Sequence, residues 1–62
     1  MQSMKTRPQA YPIRFHRVDL FAFTNMVPDM VFLRIGDLTV DAVVTIDQLD
    51  TIKGAGLRLI PL

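Results

Sequence analysis

The stretch Met30–Lys53, MVFLRIGDLTVDAVVTIDQLDTIK, constrains the fold more than any other part of the chain because its pattern dictates its own pairing. Gly36 and Asp37 suit the centre of a tight type II′ turn, which needs a positive φ at its first central residue. Ile35 then faces Leu38, Leu33 faces Val40 and Val31 faces Ala42, and these apolar pairs share one face of a hairpin. On the opposite face Arg34 meets Thr39, Phe32 meets Asp41 and Met30 meets Val43. Arg34 is diagonal to Asp41 there, in reach of an exposed ion pair. A slip of one residue would turn Thr39 and Asp41 into the core, so the pattern selects one register.

A helix follows the hairpin directly. Thr45-Ile46-Asp47-Gln48 fits a capping box, with Thr45 as N-cap and Gln48 reaching back to it. Asp47 and Asp50 fall early and Lys53 late, the charge order a helix dipole favours. Ile46, Leu49 and Ile52 form one stripe facing the sheet, and Gly54 is expected to end the helix in the left-handed conformation. A helix of about two turns needs tertiary packing to persist.

Upstream, Tyr11–Phe23 alternates like a strand, but its phase breaks. Tyr11, Ile13 and Phe15 share one parity, Val18, Leu20 and Ala22 the other, and the change falls across His16 and Arg17. A β-bulge or a strand crossing between faces would produce it, and we take the segment as a strand on that basis. The competing reading is a helical turn over Asp19–Met26 capped by Asp19. Val27-Pro28-Asp29-Met30 reads as a turn with Pro28 at its second position. After Gly54-Ala55-Gly56, Leu57–Leu62 reads as a closing edge strand, because Pro61 cannot donate to a ladder. The expected fold is α+β: a small antiparallel β-sheet of about three to five strands with one short helix packed on one face. Residues 1–10 read as a flexible basic leader and 11–62 as a single domain.

Composition narrows the function classes. Half of the 62 residues are hydrophobic, yet so short a chain leaves much surface exposed and its core rarely supplies more than about 3–5 kcal/mol. With no cysteine and one histidine, neither disulfides nor a zinc site is expected to reinforce it, which leaves association. Residues 1–10 lack the apolar core of a signal peptide and no run approaches the roughly 20 residues of a membrane span, so the cytoplasm, of a cell or of an infected cell, is the expected location.

The candidate chemistry is thin. His16, the sole imidazole, has no nucleophile or second acid-base group at signature spacing. Asp37, Asp41, Asp47 and Asp50 are the densest acidic group, but turn, strand and helix roles explain each of them, and no calcium-loop spacing is present. Gly54-Ala55-Gly56 follows a helix instead of opening one, so it is no phosphate cradle. We therefore expect no enzyme activity, catalytic residue, metal or cofactor.

Two binding readings remain. Lys5, Arg7, Arg14 and Arg17 occur in residues 1–17 with no acid, while residues 18–50 hold six aspartates against Arg34 alone. A nucleic-acid partner would use those four cations on phosphate, with Phe21 and Phe23 stacking on bases. The preferred reading is a protein partner or self-association as a homo-oligomer. In it Phe21, Phe23, Met30, Phe32 and Val43 form an apolar sheet face rimmed by Arg34, which nothing in the chain covers. A small protein of this kind would act by occupying a protein surface, including as an inhibitor of the type mobile elements encode.

Overall fold

In a computed structural model, residues 10–62 are described. Strand β1 spans Tyr11–His16, a 3-10 turn Arg17–Asp19, helix α1 Leu20–Met26, β2 Val31–Ile35, β3 Thr39–Val44 and α2 Ile46–Gly54. The sheet is antiparallel in the order β1-β3-β2, which puts β3 at its centre. The α+β architecture is as expected from the sequence, with a second short helix added. The leader expected over residues 1–10 lies outside the described residues, apart from Ala10.

Alternation along β1 and β3 builds the core. Tyr11 pairs with Val44, Ile13 with Ala42 and Phe15 with Val40. Opposed residues share a face. Ile13, Phe15, Val40, Ala42 and Val44 are all buried there, joined by Phe23, Val27, Met30 and Ile52 from the segments above. Phe15 and Phe23 stack with ring centroids 3.8 Å apart and planes 10° from parallel.

The phase break at His16 and Arg17 marks the end of a strand, not a bulge within one. Leu20, Phe23 and Val27 follow at spacings of three and four residues, which place them on one face of a helix. Leu20 is half-buried, and Phe23 and Val27 are buried. Burying this stripe over β1 overrides the alternation that suggested a longer strand. Asp19 occupies the N-cap position as the competing reading expected, although its side chain makes no capping bond. The turn over Val27–Met30 forms, closed by the Met30 amide donating to the Val27 carbonyl at 3.2 Å. It joins α1 to β2 instead of joining two strands.

The hairpin forms with a different register. Four residues, Gly36 to Thr39, separate the paired Ile35 and Val40, and the Gly36 amide donates to the Thr39 carbonyl at 2.9 Å. Gly36 does not adopt a positive φ. Its role is close approach, since a Cβ there would stand 3.2 Å from the Thr39 oxygen. The wider loop follows from β1: Thr39 pairs with His16, and the Leu38 carbonyl accepts from the Arg17 amide at 2.9 Å. The Arg17 guanidinium also donates to the Gly36 carbonyl at 3.0 Å. Beyond the loop Arg34 pairs with Asp41, the register then shifts between Phe32 and Arg34, and Phe32 pairs with Ala42 and Val31 with Val43. Leu33 is the extra residue of this bulge.

Helix α2 keeps its expected start. The Gln48 amide donates to Thr45 Oγ1 at 3.2 Å and the Thr45 amide to Gln48 Oε1 at 2.8 Å, completing the capping box. Ile52 is fully buried and Leu49 packs against the core, but Ile46, in the first turn, is 49% exposed. The left-handed residue is Gly56, with φ 74°, and Gly54 is helical. The Gly56 amide donates to the Lys53 carbonyl at 3.1 Å and the Leu57 amide to the Ile52 carbonyl at 3.2 Å, the two bonds of a Schellman motif. Leu57 and Leu59 then pack against the core. The expected closing strand is absent: Leu57–Leu62 runs beside β1 with one backbone bond, from the Ile60 amide to the Arg14 carbonyl at 2.7 Å. Pro61 has no amide to extend it. No helix among the described residues is long and apolar enough to cross a membrane.

Candidate functional site

Among the described residues the sheet order leaves β2 with β3 on one side and no strand on the other. Every residue of β2 is exposed: Val31 by 58%, Phe32 by 36%, Leu33 by 62% and Ile35 by 49%, with Arg34 also exposed. Pairing fixes which way they face. Phe32 and Ile35 lie opposite the buried Ala42 and Val40, so both extend the helix-covered face past the area the helices cover. Val31 and Arg34 lie opposite Val43 and Asp41 on the outer face. The bulge at Leu33 is what allows residues three apart to share a side. Among the described residues, the result is an apolar strand exposed on both faces and along its backbone edge.

The outer face carries a row of charge. Arg14 Nε donates to Asp41 Oδ1 at 2.6 Å and Nη2 donates to Oδ2 at 3.3 Å, a bidentate pair across β1 and β3. Arg34 stands on the far side of Asp41. The hydrogen bonds from Arg14 hold the Asp41 carboxyl below the usual carboxylate range; the charges of Arg14 and Arg34 add to this and partial desolvation opposes it. The same pairing raises Arg14. The expected ion pair of Asp41 with Arg34 is thus made with Arg14 instead, because β1 delivers the guanidinium directly opposite.

The residues expected to form one apolar sheet face do not lie together. Phe23 and Met30 are buried in the core above the helix-covered face. Phe21 is 83% exposed but projects from α1, because a helix turns adjacent odd positions apart where a strand aligns them. Phe32 and Arg34 lie on β2, on opposite faces, and Val43 is half-buried on β3 beside Val31. Sequence reasoning placed Val31, Leu33 and Ile35 in the core, and the structure exposes them. The signal that could have found them is thin: Leu20, Phe23 and Val27 at helical spacing supply a second helix above β1, which shifts the covered area away from β2.

The remaining candidates are dispersed. Arg14 and Arg17 bond to Asp41 and to the Gly36 carbonyl, while Lys5 and Arg7 lie outside the described residues. His16 is exposed at the end of β1. Asp37 is in the hairpin loop, and Asp47 and Asp50 are on α2. Among the described residues no group of acidic or imidazole side chains is placed to hold a metal ion, and no polar side chain is buried. A second exposed apolar feature sits at the loop end, where Val18, 87% exposed, and Leu38, 80% exposed, flank a shallow cleft with Arg17 and Asp37. No family model, no curated protein and no solved structure matches this chain.

Proposed function

We propose that this chain is a small non-enzymatic protein-binding module that acts by occupying a protein surface through β2. The observation that carries this reading is a strand that, among the described residues, is paired on one side only, exposed at all five positions and apolar at four of them. The amides and carbonyls on its side away from β3 are a template for another strand, with main-chain bonds supplying affinity and side chains on alternate faces supplying selectivity. β2 carries neither lysine nor proline, and its edge is moderated only by Arg34 and the bulge at Leu33. Phe32 is the natural anchor, since it offers a large apolar side chain at the margin of the packed core. The charge of Arg14, which a phosphate-binding surface would need, is paired with Asp41, and Arg17 donates one bond to the Gly36 carbonyl.

A photo-crosslinking residue at Leu33, compared with one at the exposed Asp50 of α2, tests the reading in the cells that produce the protein. Polypeptide adducts should form at Leu33 and not at Asp50. No polypeptide adduct at Leu33, or equal labelling at both positions, would refute it.

A further inference from the structure

We infer that the occupant of the β2 edge is a second copy of this chain, paired antiparallel through β2 about a twofold axis. The inference rests on the reading of β2 as a binding surface and names its partner. An antiparallel twofold pair meets with like faces aligned, so residues on the helix-covered face of one copy must oppose residues on the same face of the other. Phe32 and Ile35 are the β2 residues on that face. Setting Phe32 opposite Ile35 of the second copy satisfies the requirement at both positions, because symmetry repeats the pair. The sheet then runs through six strands, and the apolar margin of each core meets the other.

The bulge favours a second copy over an ordinary strand. A regular partner leaves one residue of β2 unpaired, as β3 already does at Leu33. A second copy brings the same extra residue at the symmetric position, so Leu33 falls opposite Arg34 of the other copy and the count matches. The register sets the two Arg34 residues diagonal to one another, a like-charge contact that weakens the pair. Five residues a side make a contact smaller than the roughly 800 Å² per partner of a standard interface. The dimer is therefore reversible and dependent on concentration.

Sedimentation equilibrium of the full chain from about 5 μM to about 1 mM tests this, together with two variants at Leu33, an exposed bulge position where substitution spares the core. The weight-average mass of the wild type should rise from 7.0 kDa towards twice that value. Leu33→Lys sets a cation against Arg34 of the second copy and should weaken the dimer about tenfold, while Leu33→Glu sets an anion there and should hold it within about threefold or tighten it. A wild type that stays at 7.0 kDa throughout overturns the second-copy assignment. Leu33 crosslinks to a foreign polypeptide would still uphold the wider surface reading in that case. Equal weakening by both variants, with circular dichroism showing both folded, overturns the register and the assignment with it.

Discussion

Strands β2 and β3 lie side by side in one ladder and both are rich in apolar residues, yet their fates are opposite. Val40, Ala42 and Val44 of β3 are buried to 2% exposure or less, whereas no residue of β2 falls below 36% among its large apolar side chains. Position in the sheet makes the difference. β3 has a strand on each side, and Phe23, Val27 and Ile52 pack over the face it shares with β1. β2 is bulged and lies at the margin. Apolar character therefore serves burial in one strand and, on our reading, recognition in the other.

The sharpest way to break this contrast is to truncate one residue on each side of it. Phe15→Ala removes a fully buried ring stacked on Phe23 and should cost about 3–5 kcal/mol, close to everything a core of this size supplies. Circular dichroism at 25 °C should show it unfolded. Leu33→Ala should change stability by no more than about 0.5 kcal/mol in urea melts. A large loss at Leu33 would mean that β2 belongs to the core after all.

Smaller effects test what holds the helical cover over β1 and β3. Thr45→Ala removes the N-cap of α2 and should cost about 1 kcal/mol. Gly56→Ala should cost about 1 kcal/mol although nothing crowds the position, because the penalty lies in the left-handed backbone. Gly54→Ala, in open space at the helix end, should instead stabilise by about 0.5–1 kcal/mol. The two glycines thus predict opposite signs two residues apart, and chemical denaturation of the pair would expose a misplaced helix end.

The smallest expected effect is the pH dependence of the outer face. Asp41 is held below the usual carboxylate range by Arg14, so its contribution is fully present above about pH 4, its unfolded value, and is lost as pH falls through the lowered folded value. Asp41→Asn should remove that part of the acid sensitivity while leaving the core intact. An unchanged acid limb in thermal melts would show that the Arg14 pair contributes nothing to folding.

What was legible in the sequence was local and symmetric about short spacings. The capping box of Thr45 and Gln48, the Pro28 turn and the alternation of Val40, Ala42 and Val44 each depend on neighbours within a few residues, and each formed. The turn at Gly36 did not form as read, because β1 claims the Leu38 carbonyl and Thr39 first, a competition between strands far apart in the chain. Alternation hid α1 because Phe21 and Phe23 match a strand as readily as a helix until a face for Leu20, Phe23 and Val27 is available. Of β2, Phe32 and Arg34 were legible as surface, and the other three residues were not, for the same reason. Val31, Leu33 and Ile35 look like core in a two-residue hairpin, and only the bulge and the sheet order expose them.

Residue-resolved amide hydrogen exchange across a concentration series tests the central claim most directly. Amides of β3 should be protected at every concentration, while those β2 amides that do not bond to β3 should exchange freely in dilute protein and become protected as concentration rises. Protection of these β2 amides that does not change with concentration would contradict the twofold pairing of β2.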